Sequence, residues 1–115
     1  MKVTIYHNPR CSKSRQTLEL LIRQGIEPEI IEYLKTPPDK STLKKILKLL
    51  DIKPRELMRS KEPAYKEAGL DDGDLNDEQL ITAMLEYPVL IERPIVLANG
   101  KAAIGRPPES VLDIL

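Results

Sequence analysis

Apolar and polar positions along the 115-residue chain fall into periods that change from element to element. Lys2-Val-Thr-Ile-Tyr6 alternates and is β-branched, which predicts a first strand, and His7-Asn8-Pro9-Arg10 breaks it. From Ser12 the pattern turns helical, with Thr17, Leu18, Leu21 and Ile22 on one side and Gly25 as a stop. Glu29-Ile-Ile-Glu-Tyr33 predicts a second strand. A strand–loop–helix–strand start favours two parallel strands joined by a right-handed crossover. After Thr36-Pro37-Pro38, Leu43, Ile46, Leu47 and Leu50 recur at the spacing of an amphipathic helix. Pro54 to Leu70 reads as short helical pieces and loop. Asn76-Asp-Glu-Gln79 has the spacing of a capping box, opening a helix that buries Leu80, Ile81, Met84 and Leu85 until Pro88 ends it.

The sharpest local signal lies in the last third. Ile95-Val-Leu-Ala98 and Lys101-Ala-Ala-Ile104 flank Asn99-Gly100, the signature of a type I′ hairpin turn. Pro107-Pro108 then starts a last helix, Glu109 to Leu115, with proline tolerated in its first turn. The fold class expected is α/β: a four-stranded mixed β-sheet flanked by helices, in the thioredoxin-like arrangement. A helical insertion, about residues 39–88, separates the β-α-β half from the β-β-α half. No repeat, low-complexity tract or long linker divides the chain, so residues 1–115 are expected to form a single domain.

Composition narrows the function classes. At 41% hydrophobic and 31% charged residues, this is an ordinary globular chain. It buries roughly two-thirds of its unfolded surface and needs neither disulfide nor metal to fold. Lys+Arg and Asp+Glu balance at 18 each, which argues against a general nucleic-acid or membrane partner. One cysteine cannot form an internal disulfide, and with His7 as the lone histidine it makes no four-ligand metal site. No apolar run approaches the ~18 residues of a membrane span. Met1-Lys2-Val3 leads straight into a strand and not into a signal peptide, so the expected location is the cytoplasm, where a free thiol persists.

Cys11 follows a strand and a turn and stands where the next helix begins. Unpaired N–H groups and the positive end of the helix dipole favour an anion there, and Arg10 adds a cation. Both lower a thiol pKa and raise the thiolate fraction. The alternative is a buried structural cysteine, a common fate of a lone Cys. The neighbourhood His-Asn-Pro-Arg-Cys-Ser-Lys-Ser is almost wholly polar, which weighs against burial.

The hairpin fixes a distance hidden in the linear sequence. With Asn99-Gly100 as a two-residue turn, Ala98 faces Lys101 and Ile95 faces Ile104, and the same register opposes Arg93 and Arg106. Like charges opposite one another destabilise a hairpin. Two guanidinium forks held there suit a tetrahedral oxyanion between or beside them; the alternative is two solvated arginines splayed at a frayed sheet end. Pro94 enters the strand where a ladder donor is unneeded or where a cis bond re-aims the chain. Arg59, in Leu57-Met-Arg-Ser-Lys, reads by itself as a surface arginine. His7 is a general acid/base or a polar turn residue, and its position favours the turn.

Tyr6-His-Asn-Pro-Arg-Cys11-Ser-Lys-Ser14-Arg resembles the active-site loop of the glutaredoxin-coupled arsenate reductases. Glu27-Pro-Glu, Tyr33-Leu-Lys-Thr-Pro-Pro38, Glu92-Arg-Pro-Ile-Val96 and Gly105-Arg-Pro-Pro108 match further blocks of that family in order. The resemblance covers essentially the whole chain. It implies that Cys11 is the nucleophile and that Arg59, Arg93 and Arg106 hold the oxyanion and stabilise the thiolate. His7, Asn8 and Ser14 become supporting groups near the sulfur, and Pro94 resembles the cis-proline that thioredoxin-like folds set against the active site. The implied reaction is reduction of arsenate to arsenite. No cofactor is bound in that reaction: glutathione is a co-substrate, and glutaredoxin frees Cys11 of it afterwards. A lone cysteine fits this route, because the second thiol comes from outside.

Spacing excludes some neighbouring chemistries. A phosphatase-type loop needs Cys-x5-Arg, and the sixth position after Cys11 is Thr17. Thioredoxin-coupled arsenate reductases use that loop and further cysteines, and Cys-x-x-Cys switching is removed by Ser14. Arg10 and Lys13 add charge to the loop and Ser12 a hydroxyl, and the chain stops soon after the helix that follows Arg106. Two other classes stay open: a glutathione-dependent thiol oxidoreductase of different specificity, and a non-enzymatic regulator of the Spx type that binds RNA polymerase.

Overall fold

The computed structural model describes residues 2–115, so Met1, and the leader expectation resting on it, lies outside the described residues. Contacts group the chain into two compact units, one of residues 2–36 and 93–115 and one of residues 37–92. The helical segment thus begins two residues before the expected insertion and ends four after it.

The first unit carries the sheet. Strand β1 (Val3–His7), helix α1 (Ser12–Arg23) and strand β2 (Glu29–Glu32) form the parallel crossover, with Thr4 opposite Glu29 and His7 opposite Glu32. Strands β3 (Ile95–Ala98) and β4 (Lys101–Ile104) form the hairpin, and β3 pairs antiparallel with β1 to give the order β2-β1-β3-β4. Four mixed strands with flanking helices are the arrangement expected from the sequence. The hairpin register is the expected one, Ala98 with Lys101 and Ile95 with Ile104. Asn99 and Gly100 both have positive φ, as a type I′ turn requires. Val3, Ile5, Leu21, Val96, Ala98, Val111 and Ile114 form the core beneath the sheet.

Three local expectations are corrected. The first strand runs through His7 instead of ending at Tyr6, because His7 pairs with Glu32 and is itself buried. On α1, Ser14, Thr17 and Leu21 are buried while Ile22 is 58% exposed. The periodicity finds Thr17 and Leu21 on the inward face, misses Ser14 because it is a small hydroxyl residue, and wrongly includes Ile22. The last helix is a 3-10 segment, Pro108–Ile114. Its tighter winding still seats Val111 and Ile114 in the core.

The second unit is helical. Helix α2 (Lys40–Leu50) buries Leu43, Ile46 and Leu47, and its Asp39 cap accepts the Thr42 N–H. Short helices α3 (Pro54–Leu57) and α4 (Pro63–Glu67) follow, each opened by proline. Helix α5 (Asp77–Glu86) has the capping box read in the sequence: Asn76 accepts the Gln79 N–H at 2.9 Å and Gln79 accepts the Asn76 N–H at 2.8 Å. It buries Leu80, Ile81, Ala83 and Met84, while Leu85 is only partly covered. No helix among the described residues is long and apolar enough to cross a membrane.

Candidate active site

Cys11 is the N-cap residue of α1, with extended backbone dihedrals and a partly exposed side chain. Its N–H donates to the Asn8 carbonyl at 3.0 Å, and its carbonyl accepts the Arg15 N–H at 3.0 Å. The loop is therefore closed on itself before the helix begins. Asn8 Oδ1 accepts the Arg10 N–H, and Arg15 Nη1 donates to the Pro9 carbonyl at 2.9 Å.

Within this loop His7, Asn8 and Ser14 are buried, while Pro9, Arg10, Ser12 and Lys13 are exposed and Cys11 is partly so. The buried polar groups satisfy one another. Ser14 Oγ lies 2.7 Å from His7 Nδ1 and accepts the Asn8 N–H at 2.9 Å. Burial lowers the His7 pKa, with Arg15 acting in the same direction and Glu32 opposing. A neutral ring whose Nδ1 accepts the Ser14 hydroxyl proton satisfies the whole set. His7 thus ends a strand and braces the loop, instead of standing in the turn. Ser14→Ala leaves His7 Nδ1 and the Asn8 N–H buried without that partner, and is expected to cost about 1–3 kcal/mol in urea unfolding. A loss under about half a kcal/mol would show that the bracing contributes nothing.

Arg93 and Arg106 converge on the sulfur from the sheet side. The peptide bond Arg93–Pro94 is cis, and the Gly105 N–H donates to the Pro94 carbonyl at 2.9 Å, which extends the hairpin register one pair beyond β3 and β4. Arg106 Nε donates to the Arg93 carbonyl at 2.8 Å, and its Nη2 lies 3.4 Å from Cys11 Sγ. The opposed arginines are therefore not splayed: a carbonyl of one anchors the guanidinium of the other. A second cis bond, Arg106–Pro107, had no distinguishing signal in the sequence.

Burial pushes the Cys11 thiol up, but the Ser14 N–H, the Arg93 guanidinium and the Lys13 N–H together outweigh it and leave the pKa lowered. The helix start and the arginine beside it thus favour the thiolate over the thiol. Alkylation of Cys11 by iodoacetamide should therefore rise through a midpoint below that of an ordinary cysteine. A midpoint at or above the value of the unfolded chain in urea would contradict this electrostatic setting.

Arg59 belongs to the helical unit. Its Nε donates to Glu62 at 3.1 Å and its Nη1 to Glu92 at 2.7 Å, while its N–H donates to the Leu90 carbonyl. Burial disfavours its charge, and the two carboxylates more than offset this, raising its pKa. It is a partly buried ion-pair centre and not the free surface arginine its local sequence suggests. Among the described residues, no three His, Cys, Asp or Glu side chains come together to hold a metal.

A thioredoxin-like sheet that presents one low-pKa cysteine to two arginines defines a single-thiol member of that fold class. The chain belongs to the ArsC family, which matches residues 6–114. An arsenate reductase from Neisseria meningitidis serogroup A is 51% identical over 115 residues, covering 99% of this chain and 98% of its own. The uncharacterized Escherichia coli K12 protein YfgD is 60% identical over 115 residues, covering 99% and 97%. The solved structure of an arsenate reductase from Vibrio cholerae superposes with a TM-score of 0.97 at 55% identity, covering 100% of this chain and 98% of that one.

Proposed function

We propose that this protein reduces arsenate to arsenite through a Cys11 thiolate. The observation carrying the reading is the convergence of Arg93 and Arg106 on Cys11 Sγ at a helix N-terminus, within a full-length match to the ArsC family. A thiolate alone would serve many redox reactions. Two guanidinium groups beside it add affinity for an oxyanion and charge neutralisation as sulfur attacks it.

In this reading the Cys11 thiolate attacks arsenic, and one arsenate oxygen leaves as water after protonation. The two arginines neutralise the remaining oxygens. Glutathione then supplies the second thiol. Its sulfur bonds to Cys11 Sγ, and the electron pair of the broken S–As bond stays on arsenic. Two thiols become one mixed disulfide while As(V) becomes As(III), so the electrons balance. Glutaredoxin takes glutathione from Cys11 by thiol–disulfide exchange and restores the thiolate. Ser14 stands where a resolving cysteine would be and is committed to His7 and Asn8, which leaves the second thiol to an external molecule. The reading places this chemistry in the cytoplasm.

The test is arsenite formation from arsenate with glutathione, with and without glutaredoxin. Turnover that needs both thiols supports the reading. Absence of arsenite above the reagent background, with folded protein of titratable Cys11, would overturn it.

A further inference from the structure

Thr17 has a polar side chain, no exposure at all, and no place in the chemistry described above. It stands at the sixth position after Cys11, where a phosphatase-type loop would place its arginine. Its hydroxyl donates to the Lys13 carbonyl one turn back at 2.8 Å and lies 3.5 Å from the Gly105 carbonyl, 88 residues away. Gly105 is as closely fitted. A Cβ there would lie 2.7 Å from Pro94 Cγ and 3.0 Å from Thr17 Cγ2, and would run into Thr17 Oγ1. Glycine is needed at this point because three chain segments meet without room for a methyl group.

The consequence lies in what those segments carry. Helix α1 holds Cys11 at its first turn, Gly105 is followed directly by Arg106, and Pro94 is preceded directly by Arg93. The contact of Thr17, Gly105 and Pro94 therefore sets how closely the arginine-bearing chain approaches the sulfur-bearing helix. We propose that Thr17 and Gly105 are positioning residues that hold Arg106 within reach of the Cys11 thiolate. This rests on the thiolate–arginine reading above, yet needs no arsenate to be observed. A charge-assisted contact of 3.4 Å weakens when its donor retreats by a few tenths of an ångström, and an added methyl group 2.7 Å from Pro94 Cγ demands at least that displacement.

The experiment is the pH profile of Cys11 alkylation by iodoacetamide in Gly105→Ala, Thr17→Val and Thr17→Ser, each also combined with Arg106→Ala. Thr17→Val keeps the shape and removes the hydroxyl, and Thr17→Ser keeps the hydroxyl. Gly105→Ala and Thr17→Val should raise the midpoint, leaving about threefold less thiolate at a fixed pH below it. Thr17→Ser should retain the parent midpoint. In the Arg106→Ala background the Thr17→Val shift should disappear, since it acts through that guanidinium, whereas Gly105→Ala also presses on Pro94 and can keep a part of its shift through Arg93. Near-ultraviolet circular dichroism identifies folded variants, and Thr17→Val carries the test if Gly105→Ala does not fold. An unchanged midpoint in folded Thr17→Val, or an equal Thr17→Val shift without Arg106, would overturn the proposal. Arsenite formation is measured separately: a protein that shows these shifts but reduces no arsenate retains the positioning device and refutes the substrate.

Discussion

Cys11→Ser is expected to form no arsenite above reagent background, a loss of about a thousandfold or more, while keeping the parent's unfolding transition. Serine preserves size and the N-cap position, so the fold has no reason to change, and Ser is itself a favoured cap. What disappears is the reacting atom. A serine hydroxyl beside the same N–H groups and guanidinium groups stays protonated at neutral pH, and removal of a nucleophile commonly costs several orders of magnitude in rate. Because Cys11 is the only cysteine, labelling of the parent under native conditions reports this site alone, and the variant should take up no label. Arsenite formed by the variant at a tenth of the parent rate or more would move the nucleophile elsewhere.

Arg93→Ala and Arg106→Ala are expected each to lower kcat/KM for arsenate by about tenfold to a hundredfold. A hydrogen bond to a charged group contributes about 1.5–3 kcal/mol, and about 1.4 kcal/mol is a factor of ten. The two losses should not add, because the Arg93 carbonyl anchors Arg106 Nε and both side chains address one sulfur. Arg106→Lys should restore little. An ammonium carries the charge but cannot donate to the Arg93 carbonyl and to Cys11 Sγ from one planar fork. Either arginine variant should also move the Cys11 alkylation midpoint upward, since positive charge beside the thiolate is being removed. Parent-like arsenate kinetics in both alanine variants would end the anion-clamp reading. A mixed-disulfide exchange rate that stays high in those variants would then favour a general thiol oxidoreductase.

Local chemistry made much of the fold legible in the sequence. Asn99-Gly100 specifies a turn whose backbone twist few other dipeptides tolerate, and a two-residue turn fixes the register of every pair behind it. Asn76 and Gln79 are reciprocal caps four positions wide, so neighbours in sequence suffice to identify them. The inward face of α1 was legible at Thr17 and Leu21 but not at Ser14. Ser14 is buried because His7 and Asn8, seven and six positions before it, turn back to meet it, and Thr17 packs beside Gly105, 88 residues away. Hydrophobic periodicity is blind to a position such as Ser14. Arg59 reads as a surface arginine in its local sequence because one of its two carboxylate partners, Glu92, lies 33 residues away.

The sequence by itself determined the order of elements, the hairpin register, the single thiol at a helix start, and hence the need for an outside partner in any two-electron thiol reaction. These follow from short-range sterics, capping and counting. Tertiary structure alone decided that His7, Asn8 and Ser14 are an internal brace, and that Arg106 reaches Cys11 while hung from the Arg93 carbonyl. It also decided that a missing methyl group at Gly105 lets these segments close. The brace depends on how the strand–helix turn folds back over six or seven positions, and the other two on distances between residues remote in sequence, which exist only once the sheet has formed.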